Sequence, residues 1–320
     1  MPSAATTTTV SGVNWRAVAG LTAGAVALYL GFRALPTGTN LNHMDFRVSG
    51  ADALEMCDPT RPQFIPVVAS RSPVRVDLRP ATGAAAPAAG RPTRFVLTLA
   101  TAGGQPIGPS DLRTVHTRKL HLLVIDPTLG DYQHLHPTPG RRPGEWEFEH
   151  TPARSGAYRV FADFTPVVTG RGLYAFADYT AAGGTGPAAP APAAPETSAE
   201  RAIGPWLFRL ATADAGAVRA GVATTLEFSG REAAGGPVPL TLVMDAYAHL
   251  VAFDAERSGF AHLHPRGAAP GDYRVEPPDP VAPVLRFDLT IPRAGAYIVW
   301  AQVNLEGKEH FFPFPLEVVR

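Results

Sequence analysis

Two hydrophobic patterns divide the chain. From Ala17 to Phe32 no residue is charged, and Arg16 and Arg33 bound the stretch. As a helix these sixteen residues cover about 24 Å, short of a roughly 30 Å hydrocarbon layer by an amount that snorkelling arginines and the interfacial rings of Trp15 and Tyr29 can close. No small-x-small cleavage site follows, so the expectation is an uncleaved signal anchor, with a cleaved signal peptide and a soluble helix as alternatives. Gly20 and Gly24 form a small-xxx-small pair on one face of this helix, a candidate contact for a second membrane helix in a segment that is rich in Ala and Gly throughout.

After residue 33 the period changes. Arg94–Leu99, Glu145–Glu149, Tyr158–Phe164 and Arg286–Ile291 alternate or run apolar over strand lengths, between turns such as Ala102-Gly-Gly-Gln105 and Ala234-Gly-Gly-Pro237. No later segment sustains a helical period with caps. Short strands separated by Gly and Pro predict a mainly β chain of antiparallel sandwiches. The Pro/Ala/Gly run from Ala181 to Pro195 is too poor in apolar bulk to fold alone and reads as a semi-rigid spacer. The predicted organisation is a tail and transmembrane anchor (1–33), a juxtamembrane extended segment (34–66), a first β-sandwich (67–181), a linker (182–202) and a second β-sandwich (203–320). The juxtamembrane segment has no clear periodicity, and a segment of that kind lies along its own domain or along a partner.

The two sandwiches are copies. His121 is followed by His134-Leu135-His136-Pro137, and His249 by His262-Leu263-His264-Pro265, so one H-x12-H-x-H-P signature occurs twice. Each begins on an apolar run, His121-Leu-Leu-Val-Ile125 and His249-Leu-Val-Ala-Phe253, and each is followed by a Gly-Ala-Tyr strand, at Gly156 and at Gly295. In a strand, residues i and i+2 share a face, so His134 and His136 can point together, as can His262 and His264. A strand, turn and return then bring His121, or His249, beside the pair. Three imidazoles suit Zn(II) or Cu(II) with one open position. The competing reading is structural: the His-x-His-Pro ends a strand, with ring N–H groups bonding loop carbonyls.

Charge and cysteine narrow the class. The chain carries 28 basic and 28 acidic residues, which gives no electrostatic case for nucleic acid or for an anionic membrane surface. A single cysteine, Cys57, excludes an internal disulfide, a Cys-x-x-Cys pair and covalent c-type haem attachment. His43, Met44, Met56 and Cys57 are ligand types that suit Cu(I), but they sit in two unrelated local contexts with nothing to fix them together. There is no Gly-x-Ser-x-Gly elbow, His-Glu-x-x-His, Walker loop or Gly-x-Gly-x-x-Gly after a strand, so no catalytic set is expected.

The pattern His-Leu-x-Val-x-Asp-x5-Phe/Tyr-x-His-Leu-His-Pro, followed by Gly-x-Tyr, resembles bacterial exported YtkA-like and FixH-like immunoglobulin-type modules over roughly 110–165 and 240–305. The resemblance implies immunoglobulin-like sandwiches outside the cytoplasmic membrane behind a single anchor, with links to copper or to respiratory membrane complexes. Gln302 stands where the first copy has Asp163, which puts a shared carboxylate ligand in doubt. As an anchored two-sandwich chain, the sequence is also similar to the extra subunit of a bacterial photosynthetic reaction-centre and light-harvesting complex. That likeness implies a non-catalytic scaffold on the periplasmic side of the inner membrane, touching other membrane subunits and the bilayer through residues 16–33. The alternative expectation is a periplasmic copper or zinc handling module that uses His121, His134, His136, His249, His262 and His264.

Overall fold

The computed structural model describes residues 14–34, 41–46, 62–183, 200–267 and 276–320. Two units result, residues 1–40 and residues 41–320. In the first, helix α1 (Trp15–Ala34) is apolar on every side, and its side chains from Trp15 to Phe32 are exposed. It is long and apolar enough to cross a membrane, a length and composition shared by membrane anchors and signal sequences.

The second unit contains both sandwiches. The first is built from β1 (Val74–Pro80), β2 (Thr93–Thr101), β3 (Leu120–Ile125), β4 (Tyr132–Leu135), β5 (Thr138–Pro139), β6 (Glu145–His150), β7 (Gly156–Phe164) and β8 (Leu173–Ala181). The second contains β9 (Glu200–Ile203), β10 (Trp206–Thr212), β11 (Val218–Arg219), β12 (Ala223–Glu232), β13 (Leu240–Thr241), β14 (His249–Asp254), β15 (Phe260–Leu263), β16 (Val284–Thr290), β17 (Gly295–Leu305) and β18 (Lys308–Val319). In the first, the sheet β1-β2-β6-β5 faces β4-β3-β7-β8. In the second, β16-β12-β10-β9 faces β11-β18-β17-β14-β15, with β13 added beside β17. Among the described residues, every ladder between these strands is antiparallel except the short parallel pair β11–β18.

The apolar runs that open each histidine signature are explained by burial on two faces. All six residues of β3 are buried, and so are all six of β14. Leu120, Leu122 and Val124 point into the first core, where they meet Phe95, Leu97 and Trp146. Leu123 and Ile125, on the opposite face, join Tyr132, Phe161, Val251, Phe253, Phe260 and Trp300 in a separate cluster drawn from both sandwiches. A strand covered on one side alternates; one covered on both reads as a continuous apolar run. The two sandwiches therefore pack face to face through matching strands of the repeat, in the isologous manner of a twofold dimer.

Part of the juxtamembrane segment belongs to these cores. Leu41 and Phe46 join the first core, and Phe64 joins the second. Residues 62–69 cross the second sandwich as a strap. The Phe64 amide donates to Thr290 O (2.9 Å), the Ile65 and Phe260 amides donate to each other's carbonyls (2.8 and 3.1 Å), and the Val68 amide donates to Ser258 O (2.8 Å). Met56, Cys57 and the linker residues 184–199 lie outside the described residues.

Candidate functional site

The faces that meet at the seam are apolar at one end and histidine-rich at the other. Along β3 the seam-facing row is His121, Leu123, Ile125, and along β14 it is His249, Val251, Phe253. Pairing extends the pattern, because β3 sets His121 opposite Asp163 of β7 and β14 sets His249 opposite Gln302 of β17. His134 and His262 follow two residues after Tyr132 and Phe260 on their own strands. The two cysteine-free histidine sets thus come together at one end of one buried interface.

Within the first copy the expected convergence occurs. One ring nitrogen from each of His121, His134 and His136 lies within 4.8 Å of the others. His134 sits in β4, while His136 lies just past its end. The second copy differs from the expected triad. His249 and His264 gather with His116 of the first sandwich, again within 4.8 Å, and His262 instead reaches across the seam to Asp163 (Nδ1 to Oδ2, 3.0 Å). The His116 and His264 rings stack at 3.7 Å between centroids. Ring contacts His134–His262 (5.1 Å) and His121–His262 (5.6 Å) join the sets into one cluster of seven imidazoles.

His116 was not legible as a site residue because it stands on a turn without turn signals. Val115 and Arg118 exchange both backbone hydrogen bonds (2.8 and 3.0 Å), closing a two-residue hairpin whose central His116 and Thr117 have φ of 47° and 66°. Such a turn favours Asn-Gly, and left-handed non-glycine residues cost about 1–2 kcal/mol each.

The hydrogen-bond network fixes several tautomers. Gln302 Nε2 donates to Glu309 Oε2 at 2.8 Å, which turns Gln302 Oε1 toward His134. His134 Nδ1 lies 2.9 Å from that oxygen and must donate, so its Nε2 carries a lone pair. His121 Nε2 likewise donates to Val115 O at 3.1 Å, leaving a lone pair on Nδ1. These two lone pairs face each other, His121 Nδ1 to His134 Nε2, at 3.1 Å. Across the seam His262 donates from Nδ1 to Asp163, so its Nε2 is also a lone pair.

Within the cluster five ring nitrogens, that of His262 included, are buried without a partner: His136 Nε2, both nitrogens of His249, His262 Nε2 and His264 Nε2. Burial lowers the pKa of every imidazole in the cluster. His121, His134, His249 and His264 lie well below the ordinary value, with neighbouring imidazoles adding to the effect of burial. His136 is pushed down to about 4 by burial and by the Arg118 charge. His116 is lowered too, chiefly by burial, against the carboxylates Asp163 and Asp245 that pull it up. Burial raises the Asp163 carboxyl, partly offset by His121 and His116. At neutral pH the cluster is a set of neutral imidazoles, the form in which histidine ligates.

Gly20 and Gly24 lie on the helix with open space around them, nothing within 4 Å of either added Cβ. His43 and Met44 sit on a 3-10 turn at His43–Phe46.

Comparison with curated proteins finds no match. Among solved structures, a DUF4785 family protein from Legionella pneumophila shares 9% identity at a TM-score of 0.25, over 77% of this chain and 57% of that one. The Escherichia coli adhesin FdeC shares 14% identity at 0.21, over 80% and 65%. Invasin, a bacterial integrin-binding protein, shares 13% at 0.21, over 75% and 39%. The chain spans less than two thirds of the length of each. A family described as a domain of unknown function, DUF8832, matches twice, at residues 74–181, which span β1 to β8, and at 209–320, which run from within β10 through β18. The chain belongs to the DUF8832 family and carries its domain in tandem.

Proposed function

We propose that the histidine end of the seam binds a transition-metal ion, copper or zinc, and that the protein is a non-catalytic metal-handling module. The observation that carries this reading is the pair of facing lone pairs on His121 Nδ1 and His134 Nε2, 3.1 Å apart. Two lone pairs at that distance repel unless a cation lies between them. A proton is disfavoured there, since burial and neighbouring imidazoles lower both pKa values. A metal is favoured: two nitrogens bound tetrahedrally at 2.0–2.1 Å stand about 3.3 Å apart. Imidazole without thiolate selects zinc, copper or nickel over hard cations. The Gln302–His134 hydrogen bond is the kind of contact by which an outer residue fixes the tautomer and orientation of a ligating histidine. The YtkA-like and FixH-like resemblance, with its links to copper, points the same way.

The test is equilibrium dialysis of the metal-free protein against micromolar Cu(II) and Zn(II), followed by metal analysis. At least one equivalent should be retained, and His134→Ala should reduce it while the circular dichroism of the fold persists. Retention below a tenth of an equivalent by the wild-type protein overturns the reading.

A second reading, a docking subunit of a larger membrane assembly such as a photosynthetic reaction-centre complex, is favoured by the bare face of α1 at Gly20 and Gly24. In this reading α1 anchors the chain in the bacterial inner membrane and both sandwiches lie in the periplasm. Migration of the native protein alone on a mild-detergent gradient counts against it.

A further inference from the structure

The duplication is not exact where it matters most for ligand chemistry. Around the histidine signature, matching positions in the two copies stand 128 residues apart, as His121 and His249 do. That offset takes the strained hairpin at His116-Thr117 to Met244-Asp245. The second copy keeps the turn: Val243 and Ala246 exchange both backbone bonds (2.8 and 3.1 Å), and Met244 and Asp245 have φ of 49° and 63°. Two non-glycine residues are thus held left-handed at the same place in both sandwiches, with glycine used in neither. Strain maintained twice indicates that the side chains at the turn have a task.

In the first copy that task is visible. His116 crosses the seam to stack on His264 and lies 5.9 Å from His249, ring to ring, so it completes the second copy's histidine pair. The seam is isologous, so the second copy's hairpin stands in the same relation to the first copy's pair, His121 and His136. By the symmetry of the repeat, the half-buried Met244 is the counterpart of His116. The Asp245 carboxylate on the second copy's hairpin pulls the His116 pKa up against burial.

We propose that the seam holds two metal ions at chemically distinct sites, one on His116, His249 and His264, and one on His121, His134 and His136 with Met244 supplying a thioether. This rests on the metal-binding reading above and extends it. The imidazole-only set suits Cu(II) or Zn(II), and the thioether turns the other set toward Cu(I). Each set takes ligands from both sandwiches, so neither sandwich alone completes a site.

Full-length protein tests this with two probes: Zn(II) by equilibrium dialysis, and Cu(I) under reducing, oxygen-free conditions by competition with a chromophoric chelator. The wild-type protein should bind two equivalents of Cu(I) with unequal affinity, the tighter at the set that holds Met244. Met244→Leu should weaken one of them tenfold or more and leave Zn(II) uptake unchanged. His116→Asn, which tolerates the left-handed turn, should remove one equivalent of Zn(II) and leave the thioether site. X-ray absorption of the Cu(I) protein should show a sulfur neighbour that disappears in Met244→Leu. If the wild-type protein saturates at one equivalent of each metal and both variants abolish it, the centre is a single site and the two-site inference fails while metal binding stands. Absence of a sulfur neighbour, with Met244→Leu unchanged in Cu(I) affinity, overturns the role of Met244. No uptake of either metal overturns the proposed function itself.

Discussion

His249 has both ring nitrogens buried and unpartnered, a cost to the metal-free fold of about 1–3 kcal/mol for each donor or acceptor left unmade. A structural histidine is retained for its hydrogen bonds; His249 has none. His249→Leu should therefore raise the unfolding free energy of metal-free protein by about 1 kcal/mol while lowering zinc retention, as read by urea denaturation and dialysis. A loss of stability without metal would instead make His249 a structural residue. His150 offers a separate residue-scale prediction, away from the cluster. It is buried in the first core against the Tyr179 hydroxyl (2.5 Å), and burial pushes its pKa down to about 4, with Asp131 partly opposing. A folded-state value below the unfolded 6.5 means that stability is fully present above pH 6.5 and is lost as pH falls toward 4. At pH 5 the loss from this one group is about 2 kcal/mol. The decline between pH 7 and pH 5 should shrink by that amount in metal-free His150→Gln, measured by urea titration at both pH values. An unchanged decline would show that His150 does not titrate below its ordinary range.

Strands carry their meaning in their period, and that is why so much of the fold is legible in the sequence. The alternation over 94–99, 145–149 and 158–164 appears in β2, β6 and β7, and the uncharged stretch 17–32 appears in α1. The strap could not be read, because its bonds go to a strand two hundred residues away and its own sequence, Pro62-Gln-Phe-Ile-Pro66, has neither period. What admits the strap is Gly259. A Cβ there would lie 1.8 Å from Ile65 O and 2.9 Å from Pro66 Cα. Both are backbone atoms that cannot swing aside. Gly259→Ala should cost about 3 kcal/mol or more, with accelerated hydrogen exchange at the Ile65 and Phe260 amides that stitch the strap. A loss under 1 kcal/mol with protection intact would mean that the strap is not held by this contact.

At the scale of the molecule, the repeat in the sequence says that there are two sandwiches but leaves their relation open, because an apolar run such as His121–Ile125 fits any strand buried on both faces. Their face-to-face packing places Trp300 at a junction. It packs on Tyr132 (5.7 Å between ring centroids), and its indole N–H donates to Leu129 O of the other sandwich at 3.2 Å. Two residues along the same face of the same strand, Gln302 orients His134. The apolar end of the seam therefore sets the distance at which imidazoles from opposite sandwiches meet. Because this seam is shared, the wild-type sandwiches should unfold together, in one calorimetric transition. Trp300→Ala should remove about 3–5 kcal/mol of packing, mostly from the contact between domains, and split the transition in two. Metal bound by ligands from both sides stabilises only the docked state. Saturating Zn(II) should then merge the two transitions of Trp300→Ala again, at a zinc affinity weaker than wild type because part of the binding free energy goes to re-docking. If the variant still unfolds in one transition, the seam is not what couples the domains; if zinc leaves two transitions separate, its ligands do not span them.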